Sequence, residues 1–331
     1  MSILRSLYVN WRRRRIYRRA LAGPARGVIL RYHSVGRPEE VGAYLDPGLS
    51  VSPERFREHL ELLRRHCRVV GPAEMSARLQ GGAEGPLAVW ITFDDGYRDN
   101  HDQATTLLAE AGLTATFYIT TGPLFSGRGL WISELWRLVP RLPAGAATGL
   151  PEALPGQVPA AAEGRRLLRR RVTRWFAGMT AEEREGWLDH LAALAGLPRG
   201  EGLEQSFLTP DMLRRMQEAG MTIGAHTRSH PHLDHLPPEQ HAEEVAGSKT
   251  DLEKILGRAV PDFAYPNPSG GGRFGEQARA AVAAAGFRTS VTSTPGPLGP
   301  ETDLLRLPRI GVYAGPQEKL VFSLLARAGR P

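Results

Sequence analysis

The chain has 331 residues and a formal net charge of +7, with 41% hydrophobic and 23% charged residues. That composition fits an ordinary globular protein with a large core, and no run of about 18 apolar residues is present to make a transmembrane helix. The charge is local: residues 1–22 hold seven arginines and no acid, and taking those seven from 42 Lys and Arg leaves 35, against 35 Asp and Glu. A nucleic-acid enzyme spreads basic charge over its main domain, so nucleic acid is not an expected partner.

The first 22 residues read as a basic amphipathic segment. Leu4, Leu7, Tyr8 and Trp11 share a helical face, with arginines around and after them, a pattern suited to the surface of an anionic membrane. Arginines interrupt every apolar stretch of the start, so export by a signal peptide is not expected. The reading is a cytoplasmic protein, peripheral at the inner face of the membrane. Cys67, the single cysteine, excludes an intrachain disulfide and is expected to be a buried thiol.

In chain order, residues 27–33 form a strand-like run ending at His33. Ser52-Pro53-Glu54 opens a helix with a cap, a proline in the first turn and an acid at its positive end. Residues 69–70 and 87–93 follow as strands, 100–112 as a helix, and the β-branched and aromatic stretch 114–120 as a strand. Residues 123–207 break this rhythm. They are rich in Ala, Arg, Leu, Gly and Pro and read as a helical insertion, with helices over 164–177 and 181–195. Alternation resumes with a helix opened by Thr209-Pro210-Asp211, a strand over 221–225, a helix over 238–256 and a strand over 261–265. A helix over 275–285 and strands over 287–292 and 304–312 complete it. Strands alternating with helices predict a parallel sheet. About seven such units in residues 23–331 predict an α/β fold, a TIM-like barrel with its chemistry at the strand C-terminal ends.

Two motifs sit at such ends. Asp94-Asp95-Gly96 follows the strand 87–93. Adjacent carboxylates are costly without a positive charge beside them, and a metal ion is the simplest candidate. His226-Thr-Arg-Ser-His230 follows the strand 221–225. Histidines four apart lie within one helical turn, so both imidazoles can reach one point. With a carboxylate they make a site that leaves positions open for water and substrate.

These segments resemble a known family. Thr92-Phe-Asp-Asp-Gly96 and His226-Thr-Arg-Ser-His230 look like the first two motifs of the polysaccharide deacetylases. These form the fourth family of carbohydrate esterases and share the homology domain of the nodulation chitooligosaccharide deacetylase. Phe263-Ala-Tyr-Pro266 resembles the third motif in the form seen in biofilm-polysaccharide deacetylases. The resemblance covers about residues 26–122 and 208–312. It implies a distorted (β/α)7 barrel, one divalent metal, most simply Zn2+, and hydrolysis of N-acetyl groups on a glycan or lipid-linked sugar. Residue by residue it makes Asp94 the base and Asp95, His226 and His230 the ligands. It also puts Tyr265 and a backbone N–H near Asn267 beside the substrate oxyanion.

Two departures matter. Where many members carry an arginine in the third motif to orient the base, this chain has Ala264; Arg309 or Arg306 could substitute, and Arg309 is taken. The late histidine acid is absent, since no histidine follows His241. His33, ending the first strand, is taken as the acid; biofilm-type enzymes carry an early histidine in this context. Four of the six tryptophans, Trp131, Trp136, Trp175 and Trp187, fall in the insertion. Helix packing is the expected role, with Trp131 singled out as a sugar-stacking candidate. Two other functions stay open at this point: an inactive sugar-binding domain on the same fold, and a hydrolase of a non-sugar amide.

Overall fold

A computed structural model describes residues 14–22, 27–81, 85–266 and 274–328. Ten strands run in chain order: β1 Gly27–Tyr32, β2 Ser34–Val35, β3 Ser50–Val51, β4 Arg68–Val69 and β5 Ala88–Phe93. Then follow β6 Thr116–Ile119, β7 Thr222–Ala225, β8 Asp262–Ala264, β9 Thr289–Val291 and β10 Ile310–Gly311. The main sheet is parallel in the order β10-β1-β5-β6-β7-β8-β9. β4 pairs with the first half of β5 and β6 with its end; β2 and β3 form a separate pair.

Parallel strands covered by helices bury both faces and so read as continuous apolar runs. β1 and β5 are buried at every position. Their alternate residues enter two different cores. Val28, Leu30, Tyr32 and Phe93 pack outward against helix Pro53–His66 through Phe56, Leu60 and Leu63. Ile29, Ala88, Trp90, Tyr118, Ala264, Val291 and Leu307 instead pack against one another. Side chains from β1, β5, β6, β8 and β9 meet only if the sheet is curled, and the fold is the predicted distorted (β/α)7 half-barrel. β9 and β10 are not paired directly; the seam is closed by the segment ahead of β10, where Val291 bridges Leu307 and Leu307 N–H donates to the Ser290 carbonyl and Thr292 N–H to that of Leu307, each at 2.8 Å.

The helix starts follow their caps. Ser52 Oγ accepts the Arg55 N–H at 3.3 Å, Thr209 Oγ1 accepts that of Met212 at 3.3 Å, and Thr180 with Glu183 forms a capping box. Helices Ala162–Phe176 and Ala181–Ala195 lie within the stretch expected to be helical and, with helix Trp131–Leu138, share their own hydrophobic cluster.

The predicted strand over 304–312 is corrected to Ile310–Gly311. Asp303 folds the chain into a turn, its carbonyl accepting the Arg306 N–H at 2.9 Å and its carboxylate that of Leu305 at 3.0 Å. Pro308 then offers no N–H to a ladder. The expected helix over 100–112 begins as one π turn, Asn100–Thr105, before Thr106–Glu110. Cys67 is half-buried, not buried, because it ends helix Pro53–His66.

Leu4, Leu7, Tyr8 and Trp11 lie outside the described residues. Residues 14–21 are helical. Tyr17 and Ala20 of this helix are buried in the main core, and Tyr17 OH bonds to Gln317 of helix Pro316–Ala328. Among the described residues no helix is long and apolar enough to cross a membrane.

Candidate active site

Three described non-glycine residues have positive φ: Asp95 at 79°, Thr227 at 66° and His230 at 57°. Such conformations are disfavoured for residues with a Cβ and persist where the surroundings hold them for a function. All three lie in the two metal-type motifs. After β5 the chain turns at Asp95 and Gly96, the latter at φ 86° with its position closed on one side by Ile119.

The second motif departs from the helical expectation. Residues 226–232 after β7 form no helix; the two left-handed residues bend an irregular loop so that His226 and His230 converge. Their rings stand 5.0 Å apart at 73°. The loop is pinned from below by Glu244 of helix Pro238–Leu256, whose carboxylate accepts the N–H of Arg228 and of Ser229, each at 2.9 Å. Arg228 grips Asp251 through two bonds of 2.9 Å. Arg184 reaches Ser229 Oγ at 2.7 Å.

The donors suit a metal. Asp95 Oδ1 lies 3.5 Å from His226 Nε2 and 3.2 Å from His230 Nε2, and one ligand atom from each residue falls within 4.8 Å of the others, all buried. Tetrahedral coordination with bonds of about 2.0–2.1 Å puts neighbouring donors about 3.3 Å apart. His226 Nδ1 lies 2.7 Å from the Ala264 carbonyl. A carbonyl only accepts, so Nδ1 carries the proton and Nε2 presents its lone pair to the site. Burial by itself would raise the Asp95 carboxyl, but the closeness of His226 and His230 outweighs burial and holds it well below the carboxylate range.

Asp94 faces another partner. Arg309 donates from Nη1 to Oδ1 and from Nη2 to Oδ2, both at 2.7 Å. Its Nε donates to the Thr292 carbonyl at 2.8 Å and Nη1 also to Thr92 Oγ1 at 3.1 Å. Guanidinium and carboxylate are both buried, and the planar fork sets the carboxylate's orientation. Burial would raise the Asp94 carboxyl; the charge of Arg309 and its hydrogen bonds overcome that and keep it below its usual value. Arg306, the other arginine considered, turns to Glu276 and the Gly275 carbonyl.

His33 lies beside these carboxylates, half-buried, with its ring 6.3 Å from that of Tyr313 and its Nδ1 without a hydrogen-bond partner among the described residues. Burial pushes its imidazole down to about 4 against the pull of Asp95.

Tyr265 is a correction. Its side chain belongs to the outer core with Phe263 and Phe274, and its hydroxyl donates to the Leu305 carbonyl at 3.0 Å. Strand alternation is the reason: Ala264 faces the barrel interior, so its neighbours face away. Asn267 lies outside the described residues. Trp131 reaches the site as a support: Nε1 donates to the His230 carbonyl at 3.0 Å, while its ring, only 5% exposed, is enclosed by Phe176 and Arg184. No open face is left for stacking on a sugar. The other tryptophans pack: Trp175 meets Trp187 edge-on at 5.0 Å, and Arg169 lies over Trp136.

Sequence reasoning missed Glu244, Asp251 and the Ala264 carbonyl. Each acts on a residue 15 or more positions away, and nothing in the local pattern of the helix marks Glu244 among its neighbouring acids.

Comparisons with known proteins bear on the family and the fold. The family model described as Polysaccharide deacetylase matches residues 81–141 and 170–290, more than half of the chain. The YxkH protein of Bacillus subtilis (strain 168), named for the same family, is 22% identical over 294 residues, 88% of this chain and 73% of that protein. Among solved structures, Streptococcus pyogenes deacetylase PplD in complex with acetate superposes with a TM-score of 0.59 at 20% identity, covering 92% of this chain and 98% of that one. IcaB from Ammonifex degensii superposes with a TM-score of 0.58 at 18% identity, covering 94% and 98%. With two motifs at the ends of β5 and β7, on either side of β6, one half-barrel and a family model spanning both, the chain belongs to the polysaccharide deacetylase family.

Proposed function

We infer that the protein is a metal-dependent hydrolase that removes N-acetyl groups from an amino-sugar-containing glycan or glycolipid. The observation that carries this reading is the division of two adjacent buried carboxylates between two tasks: Asp95 joins two histidines, and Asp94 is held off them by Arg309. A divalent metal, Zn2+ being the simplest for this donor set, would be held by Asp95, His226 and His230. When bound it lowers the pKa of water towards about 7 and polarises the acetyl oxygen.

The chain's own residues supply the rest. Asp94, ionised and fixed by Arg309, accepts the proton of the water that attacks the acetyl carbon. The C–N bond breaks, and the departing amine takes a proton, leaving acetate and a free amino sugar. In this reading His33 gives that proton; its ring stacks on Tyr313 at the end of β1, with Nδ1 free of a hydrogen-bond partner among the described residues. Burial favours its neutral form, so the proton it gives is one taken up during turnover, for which the proton gained by Asp94 is a source. His33→Ala is expected to lower kcat by about 10²-fold with metal content unchanged. Unchanged kcat would remove the role.

The intact Asp94–Arg309 pair weighs against an inactive sugar-binding domain, because binding sugar needs no clamped carboxylate beside metal ligands. The primary test is metal analysis of the purified chain, together with acetate release from a panel of N-acetylated glycans, lipid-linked sugars and simple amides. We expect about one divalent ion per chain, activity abolished by a chelator, restoration by Zn2+, and turnover confined to the sugars. Metal with no acetate release from any substrate would favour the binding domain; release from simple amides alone would favour the non-sugar hydrolase.

Peripheral contact with the inner face of an anionic membrane belongs to the same proposal. The basic residues 1–22 support it, at about 1 kcal/mol of attraction per Lys or Arg near such a surface. Because Tyr17 and Ala20 are core residues, the cleaner variant lacks residues 1–13 only. Co-sedimentation with anionic vesicles at low salt is expected for the full chain and reduced for that variant; equal binding by both removes the membrane role.

A further inference from the structure

Strand alternation places Arg31 and His33 on the interior face of β1, beyond Ile29. Arg31 pairs in register with Thr92 of β5 on one side and with Gly311 of β10 on the other. It is 8% exposed. Its Nη2 donates to Tyr313 OH, and the guanidinium stands 5.7 Å from the centre of the Tyr313 ring. That same ring stacks on His33. The arrangement is built: a Cβ on Gly311 would come within 2.6–2.8 Å of the Tyr313 ring and hydroxyl, so any larger residue would expel the tyrosine from this seat.

Arg31 lacks a counterion among the described residues. Among the described residues no carboxylate comes within ion-pair distance of it, and its Nε is buried without a hydrogen-bond partner. Arg309, in the adjoining part of the barrel, spends its charge on Asp94. Asp95 is directed at the two histidines. An unpaired buried guanidinium costs several kcal/mol of desolvation, and a planar fork with free N–H groups is matched by a carboxylate or phosphate.

The geometry points to Arg31, with Tyr313, as the seat of an anionic group on the substrate: a carboxylate or phosphate carried by, or next to, the sugar that loses its acetyl group. This rests on the deacetylase reading and narrows it to acidic glycans or sugar phosphates. Arg31 faces Thr92, two residues before Asp94, across β1 and β5, and its partner Tyr313 stacks on His33, so the seat adjoins the reaction centre and one ligand can occupy both.

The test uses the full metal-loaded chain and three probes: an N-acetylhexosamine–uronic acid disaccharide, N-acetylglucosamine 1-phosphate, and a neutral N-acetylhexosamine disaccharide. Calorimetric Kd values are expected to favour at least one anionic probe by about tenfold over the neutral one, the size expected of a charge-assisted bond. Whichever anionic probe is preferred identifies carboxylate or phosphate as the group recognised. Arg31→Leu should erase the preference, and Arg31→Lys, which keeps the charge without the fork, should restore part of it. Metal content of both variants should match the parent, so any preference that survives in Arg31→Leu belongs to the metal and overturns the assignment. Equal binding of all three probes by the parent chain overturns it too. So does a variant whose only change is weaker inhibition by acetate, which would make Arg31 a seat for the product. Selective binding without acetate release from any probe would instead sustain the anion seat and defeat the deacetylase reading.

Discussion

Asp94→Asn is expected to keep its metal and lose about 10³-fold in kcat, within the range that a positioned general base contributes. The two halves of that result separate the neighbouring aspartates. Asp95 reaches both histidine Nε2 atoms within 3.5 Å, whereas Asp94 uses both its oxygens on Arg309. An amide at position 94 preserves volume and an acceptor oxygen while losing the capacity to take a proton at neutral pH. Metal content by elemental analysis and kcat from acetate release decide the matter. If the variant loses metal and its remaining turnover simply tracks the metal left, the roles of Asp94 and Asp95 are exchanged.

Arg309→Met should be among the most destabilising single substitutions in the barrel, by about 3–5 kcal/mol, because it strands a buried carboxylate. Asp94 now stays below the usual carboxylate value only because Arg309 outweighs burial. With Arg309 removed, burial dominates and the Asp94 pKa rises above its unfolded value of about 3.9. The sign follows from linkage. In the parent, a depressed folded pKa contributes stability above the unfolded pKa that is lost as pH falls through the folded one. In the variant, a raised folded pKa makes the carboxylate a burden that grows as pH rises above about 4. The stability gap should therefore be full at neutral pH and narrow towards about pH 4. Urea unfolding at several pH values measures it, and Asp94→Asn combined with Arg309→Met should recover part of the loss. A gap independent of pH, with no recovery in the double variant, would show that Arg309 matters for packing and not for the charge on Asp94.

The reach of local pattern is visible in the helix starts and in the motifs. Ser52-Pro53 and Thr209-Pro210 open helices where their capping chemistry puts them. Asp94-Asp95 and His226 follow buried strands, as a barrel site requires. Where longer-range terms enter, the reading fails in interpretable ways. The histidine spacing was taken for a helical turn, yet residues 226–232 form a strained loop, and the convergence depends on Glu244 holding its amides. Tyr265 was assigned to the site because its motif is there; its own side chain obeys alternation and faces the outer core.

Local pattern sets the order of strands and helices, the parallel sheet they imply and the residue types gathered at its C-terminal edge. These follow from hydrophobic periodicity and capping, which act over a few residues. Tertiary folding settles which arginine clamps Asp94, since Arg306 and Arg309 are equally charged and three residues apart, and the turn at Asp303 with the short strand Ile310–Gly311 sends one to Glu276 and the other into the barrel. It likewise settles that Trp131 supports His230 and that Arg31 stands buried with no carboxylate in reach among the described residues. Pairings of this kind join distant residues, Arg309 and Asp94 being 215 positions apart and Arg31 and Tyr313 282; they are set by how the sheet curls and closes, and no local pattern records them.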